Sequence, residues 1–337
     1  MNKQVSATLF AVLAAVLYAV NIPFSKLLLN FVHPVLMASF LYFGAGIGIS
    51  AYSAIFRKTD KAGLTKRELP YTLAMIALDI VAPILLMIGL KTANPANAAL
   101  LNNFEIVATA LVALFVFREL ISGKLWFAIL LITVSSALLS FENGETFRFS
   151  WGSLLVLAAC ICWGFENNCT RVLSSKSVYQ IVILKGVFSG AGSLLVALLL
   201  GDVFPEWTLV LLALLLGFVS YGLSIYFYIK SQSIIGAAKT SAFYSLAPFI
   251  GALVSFVMFR EPLSENYPIA LAIMVCGTGL IIFDTLAIGH KHAHTHSISA
   301  LGTSVFVSHM HFHFHSIGNE ANHSHRHGKR ANLSTHS

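Results

Sequence analysis

Four polar residues interrupt an otherwise apolar stretch, Asn94, Asn97, Asn102 and Glu105, at intervals of three, five and three residues. At about 100° of rotation per residue they share one broad helical stripe that continues to Thr109. A carboxylate in an apolar medium must be paired, hydrated or protonated. The stripe therefore faces other helices or a wet cavity. Its chemistry is hydrogen bonding to a polar solute, with Glu105 countering a cation or exchanging a proton. A network that only packs helices together accounts for the same residues.

A second set, Trp163, Glu166, Asn167 and Thr170, recurs at helical spacing. Glu166 is suited to an ammonium group or to a lysine of the protein itself. Trp163 offers either an apolar wall or a cation–π surface. A third set comprises Lys239, Phe243, Tyr244, Ala247 and Gly251. Lys239 can pair with Glu105 or Glu166, or bind a carboxylate directly. Carboxylates facing a lysine suit a zwitterion such as an amino acid. Asp79 stands four residues before Pro83, whose missing N–H can bend a helix. It can take a proton, coordinate a cation or satisfy groups freed by that bend, with Lys185 as a distant partner. Asp79, Glu105 and Glu166 are the candidates for coupling to a proton gradient.

Of the 13 histidines, only His33 precedes Gly289. His290, His292, His294 and His296 alternate, as do His309, His311, His313 and His315, and His323, His325 and His327 follow. Neutral imidazoles ligate Zn²⁺, Ni²⁺ or Cu²⁺, so this tail is a candidate metal binder. Metal transport is a separate matter, because the apolar runs hold no clear His/Asp ligand set. No nucleophile–base pair marks an enzyme, and no phosphate-binding loop marks an ATP-driven pump.

The composition shows what must hold these groups. Over 337 residues, 57% are hydrophobic and 10% charged, with mean hydropathy +0.80. Soluble domains carry about 25% charged residues. This chain lacks the polar coat that water would require, and lipid must solvate much of its surface. The net charge of +7 is scattered rather than gathered on one face, which excludes a nucleic-acid partner. Cys160, Cys162, Cys169 and Cys276 lie in apolar blocks without a paired motif, as buried thiols do. The first apolar block reads as a retained span rather than a cleaved signal.

Apolar runs separated by charged or turn-rich breaks predict ten transmembrane helices, over 5–29, 35–56, 69–90, 94–117, 124–141, 151–171, 178–200, 207–229, 235–259 and 267–288. The loop after the second run carries Arg57, Lys58, Lys61, Lys66 and Arg67. Those near Glu142 and Glu145, and near Asp202 and Glu206, are acidic. The positive-inside rule then makes both termini of a multi-pass cell-membrane protein cytoplasmic. The stretch from Ile298 to Val307 is too short and too weakly apolar to add a span.

The chain also repeats itself. Phe117-Arg118-Glu119-Leu120-Ile121-Ser122 returns as Phe259-Arg260-Glu261-Pro262-Leu263-Ser264, and Tyr18-Ala19-Val20-Asn21 is echoed by Trp163-Gly164-Phe165-Glu166-Asn167. Halves of five helices each, 5–141 and 151–288, enter the membrane from opposite sides and form inverted repeats. The predicted fold is thus an all-α integral membrane protein followed by a histidine-rich, disordered cytoplasmic tail, 289–337. By the repeat offset, Lys239 corresponds to Asn97 and Tyr244 to Asn102.

On these motifs the chain resembles the drug/metabolite transporter superfamily, specifically its EamA-type members with two five-helix units. The resemblance spans roughly residues 5–288. It implies a ten-helix secondary transporter with a central cavity, often an exporter of amino acids or other metabolites, and no required cofactor. Pro248 looks like the family's proline in the ninth helix, whereas its repeat counterpart is Ile106. The implied partners are the lipid bilayer and a small polar metabolite. Candidate solute contacts are Asn97, Asn102, Glu105, Trp163, Glu166, Asn167, Lys239 and Tyr244. A divalent metal served by the tail is the alternative cargo, and a non-transporting metal sensor or scaffold is the alternative from another class.

Overall fold

The structure is a computed structural model that describes residues 3–56, 62–117, 123–140, 150–235, 240, 243–260, 263, 265–286, 289–300 and 303–314. It divides into two units, Met1–Ile282 and Phe283–Ser337.

The first unit is helical. Six of its helices are long and apolar enough to cross a bilayer: Val5–Leu28, Pro34–Ile55, Lys66–Thr92, Pro95–Val116, Val178–Leu199 and Trp207–Ile235. Shorter apolar helices cover Trp126–Leu139, Ala247–Phe259 and Tyr267–Phe283. The first long helix comprises α1 (Lys3–Ala19) and α2 (Asn21–Leu28), followed by α3 (Pro34–Phe56) and α4 (Leu69–Thr92). The run predicted over 94–117 is divided into α5 (Pro95–Leu101) and α6 (Phe104–Phe117) by a turn at Asn102 and Asn103. Then come α7 (Gly123–Ser140) and α8 (Trp151–Leu173). Helix α8 has 23 residues, enough to span, but Glu166, Asn167, Asn168 and Arg171 make its second half polar.

Two π-helical turns interrupt the next spans. Lys185–Ser189 separates α9 (Val178–Leu184) from α10 (Gly190–Leu199), and Phe218–Leu223 separates α11 (Trp207–Gly217) from α12 (Ser224–Ile235). Helix α13 (Ala247–Phe259) and most of α14 (Tyr267–Leu286) complete the unit.

Packing arranges these helices around two central ones. Helix α8 lies along α4 on one side and α6 on the other, while α3 is held between α9–α10 and α11 with their π turns. Outward-facing side chains are apolar: Ile55, Phe115, Leu199 and Leu211 are exposed, a surface suited to lipid. Trp151 and Trp207 are exposed at the first positions of α8 and α11, where amphipathic rings sit at a membrane–water interface.

At one end of α3, Leu64 N–H donates to Gln180 Oε1 (2.8 Å) and Ser177 N–H to Ala62 O (3.1 Å), joining the loop after α3 to the α8–α9 turn. Lys176 and Glu68 add an ion pair at 3.4 Å. At the other end, His33 Nδ1 meets Asp202 Oδ1 at 3.2 Å, joining the α2–α3 and α10–α11 turns. Lys26 Nζ donates to the carbonyls of Leu90 (2.9 Å), Lys91 (3.2 Å) and Ala93 (2.9 Å), so a cation closes the C-terminus of α4.

In the second unit, β1 (Gly289–Ala300) and β2 (Thr303–Phe314) pair antiparallel, from Gly289 opposite Phe314 to Ala300 opposite Thr303. Regular strands therefore occupy part of a tail that composition alone reads as disordered. The metal expectation is corrected here. Among the described residues, no group of three or more His, Cys, Asp or Glu could hold a metal ion. That finding overturns Zn, Ni or Cu at His290, His292, His294, His296, His309, His311 and His313, together with a divalent metal as partner. A metal needs several nitrogens near 2.0 Å at once, which regular spacing in sequence does not by itself supply. His315, His323, His325 and His327 lie outside the described residues.

Candidate functional site: a buried charge cluster

Three helical segments bring their charges together in the interior. Lys185, at the start of the first π turn, places Nζ 2.8 Å from Glu166 Oε1 and 3.2 Å from Asp79 Oδ2. Their relative exposures are 5%, 3% and 0%, so these charges are compensated by one another rather than by water. Tyr42 from α3 donates its hydroxyl to Asp79 Oδ1 (2.7 Å), and the Thr170 hydroxyl donates to Glu166 Oε1. A π turn shifts the helical register by one residue, and such turns recur at functional sites. Here the turn begins at the lysine that bridges α4 and α8.

Next to this triad, Asn167 Nδ2 donates to Glu105 Oε1 (2.7 Å) and to Thr109 Oγ1 (3.2 Å). Asn168 Nδ2 donates to the carbonyls of Thr109 (3.1 Å) and Gly164 (2.8 Å). The bare Gly164 lets α6 and α8 approach closely enough for these bonds: a Cβ there would lie 2.6 Å from the Ala108 Cβ. Glu105 and Asn167 are only half-buried, unlike the triad beside them.

Tyrosines line the neighbouring space. Tyr221, in the second π turn, lies tilted against Tyr42 (ring centroids 5.1 Å) and edge-on to Tyr18 (6.0 Å), and its hydroxyl accepts from Asn21 Nδ2 at 3.4 Å. Tyr244 lies 5.6 Å from Tyr18 and 5.0 Å from Tyr228. Beside Tyr18 a small cleft is walled by Ile22, Ala99, Asn102, Pro248 and Gly251.

The structure thus brings Glu105, Asn167 and Thr109 together, and places Glu166 with Thr170. It separates others. Asn94 caps α5, its Oδ1 accepting from Ala96 N (3.0 Å) and Asn97 N (3.1 Å). Asn97 Nδ2 turns to the Leu139 carbonyl of α7 at 3.4 Å, a helix-packing contact. Asn102 is buried at the α5–α6 break, with Cys160 Sγ 3.9 Å from its Oδ1. Trp163 is buried within the apolar core. Lys239 lies outside the described residues, and the lysine found on Glu166 is Lys185. Because Asn94 satisfies two N–H groups at the start of α5, Asn94→Ala is expected to cost about 1 kcal/mol of stability. Denaturant titration in detergent measures that loss; an unchanged midpoint would deny the cap its role.

Tyr42 and Tyr221 were not singled out from sequence, and Tyr18 was read only as part of a repeated motif. Their signal is a hydroxyl inside an apolar run, which needs a partner when buried.

Comparison with known proteins agrees with this architecture. The EamA-like transporter family model matches twice, over residues 5–141 and 150–283. An uncharacterized transporter of Methanothermobacter thermautotrophicus is 26% identical over 291 residues, covering 80% of this chain and 84% of that protein. The uncharacterized transporter YyaM of Bacillus subtilis is 25% identical over 255 residues, covering 70% of this chain and 80% of its own. One crystal structure superposes with a TM-score of 0.61 at 19% identity, over 82% of this chain and 96% of that one, a likeness of fold. Apolar helices long enough to cross a bilayer, a lipid-compatible surface and two matches to one family model lead to one assignment: the chain is a multi-pass membrane protein of the EamA-like transporter family, within the drug/metabolite transporter superfamily.

Proposed function

We propose that this protein is a secondary transporter that exports a small polar metabolite bearing an ammonium group, such as an amino acid, by alternating access. The observation that carries this reading is the half-buried Glu105–Asn167–Thr109 group beside the fully buried Asp79–Lys185–Glu166 triad, inside helices whose outer faces are apolar. Ionisable groups in the interior of a membrane protein are costly to bury, and where they occur they mark solute or proton pathways. A solute binding between the half-bundles would favour their rearrangement until the cavity opened on the other face.

In this reading ten helices form two inverted units, 5–141 and 151–288, and the twofold match of the family model supports the division. Both termini are cytoplasmic. In support, the α3 loop that carries Lys66 and Arg67 touches the turn that carries Lys176, which gathers cations at one end of the bundle. Protonation of Asp79, Glu105 or Glu166 couples the cycle to a proton gradient.

The test is flux in proteoliposomes containing purified full-length protein, offering amino acids and other polar metabolites. Saturable movement is expected, with Glu105→Gln, Glu166→Gln and Lys239→Met each lowering kcat/KM by about tenfold or more. Undiminished transport in all three folded variants would remove the chemical basis of the proposed path.

A further inference from the structure

The end of the helical unit that carries Lys66, Arg67 and Lys176 is closed by two layers, and each layer joins segments from both family matches. The inner layer is apolar. A buried group separate from the main core takes Ile49 from α3, Met75 from α4, Leu173 from α8, Ile181 from α9 and Tyr226 from α12. Met75 lies about one turn from Asp79, and Ile181 about one turn from Lys185, both towards this end. The layer therefore stands between the buried triad and the cation-rich side. Rings complete it: Tyr226 is 5.3 Å from Tyr52 and 5.2 Å from Tyr179, and the Tyr179 and Tyr226 hydroxyls are hydrogen-bonded at 3.2 Å.

The outer layer is a strap. Residues 62–65, between α3 and α4, cross the start of α9. Ser177 N–H donates to the Ala62 carbonyl (3.1 Å), and Gln180 Oε1 accepts from Leu64 N–H (2.8 Å). Gln180 is held in place through its own N–H, which donates to the Ser177 hydroxyl at 3.3 Å. Leu64 packs on the apolar layer beneath. Beyond the strap, Glu68 meets Lys176 at 3.4 Å. Ala62, Gly63 and Thr65 are exposed, so water replaces the strap's hydrogen bonds as they break and lifting it costs little.

On this geometry we infer that strap 62–65 and the tyrosines beneath it are a gate on the cation-rich side, with Gln180 as its catch. The catch releases when the bundle opens towards that side and engages when it opens away from it. The inference rests on the transport reading above and assigns one of its two closures to named residues.

Thiol labelling from each side of the membrane tests the gate without a solute. The reporter is Thr109→Cys, beside the triad, in the full chain with its native cysteines replaced. The probe is a membrane-impermeant maleimide, applied to inside-out and to right-side-out vesicles. Gln180→Leu removes the acceptor and should raise labelling from the cation-rich side about fivefold. It should lower labelling from the opposite side, because one population grows at the expense of the other. Gln180→Glu keeps an acceptor for Leu64 N–H and should label as the parent does. Plain loosening of the bundle would instead raise labelling from both sides. That result, or labelling indifferent to Gln180→Leu, would overturn the gate and leave the transport reading standing. A reporter that stays unlabelled from both sides in every variant would remove the gate and the solute path together.

Discussion

Replacing Lys185 with methionine should destabilise the folded protein by about 3–5 kcal/mol, since it removes one partner of a buried ionic group and strands the others. The geometry leaves little relief. Asp79 is fully buried and Glu166 is 3% exposed, so neither carboxylate can turn to water. Methionine preserves the length and apolar volume of the lysine stem, which confines the change to the charge. The triple variant Lys185→Met, Asp79→Asn, Glu166→Gln should recover most of the loss, because it removes the stranded charges along with their counterion. Unfolding titrations in detergent compare the four proteins: wild type, the lysine variant, the lysine variant with one neutralised carboxylate, and the triple variant. A lysine variant as stable as wild type would show that the triad contributes nothing to holding α4, α8 and the first π turn together.

The second large effect is steric. Gly186 lies in the same π turn, against Gly46 of α3. A Cβ on Gly186 would come within 2.2 Å of the Gly46 nitrogen and 2.3 Å of its Cα. Both are backbone atoms, so no side chain can swing aside. Overpacking a core typically costs about 1–3 kcal/mol, and Gly186→Leu should reach or exceed the upper end because a whole helix must move. It should also depress transport, since Lys185 is the adjacent residue. Gly279→Ala in α14 is the contrasting case: nothing lies within 4 Å of the added Cβ. There the loss of unfolded-state entropy should give a gain of about 0.4–1 kcal/mol. Thermal melts of the two variants should therefore shift in opposite directions; equal shifts would contradict the close packing of α3.

How far these features could be read from the chain depends on which force fixes them. Helix positions were legible because lipid demands long apolar runs: the run read as 151–171 is Trp151–Leu173, and that read as 178–200 ends at Leu199. The polar residues that matter were legible for the same reason, since each interrupts such a run. Their partners were less so. Asp79 with Lys185 was nameable as a distant pair, but assigning Glu166 to Lys239 rather than Lys185 was a matter of helix faces. A face depends on which helices touch and on a π turn that rotates everything after it, and neither is written in the spacing of one segment. The stripe from Asn94 to Glu105 failed similarly. It assumed one continuous helix, whereas the chain turns at Asn102 and Asn103, diverting Asn97 to α7 and Glu105 to α8. Two adjacent asparagines amid leucine and alanine were the available sign of that break, because their side chains compete for backbone hydrogen bonds. The tail misled in another way. Its histidines share spacing, and metal binding requires convergence.

Whether these polar groups enclose water within the membrane can be measured directly by thiol labelling in sealed vesicles. Single cysteines at Thr109 and Asn167, in a chain whose native Cys160, Cys162, Cys169 and Cys276 are replaced, should react with a membrane-impermeant thiol reagent, because the reactive thiolate forms only where water reaches it. Cysteines at the outward-facing Phe165 and Leu253 should stay unlabelled. Labelling at Phe165 and Leu253 with none at Thr109 and Asn167 would place the charged residues against lipid and contradict the account at its root.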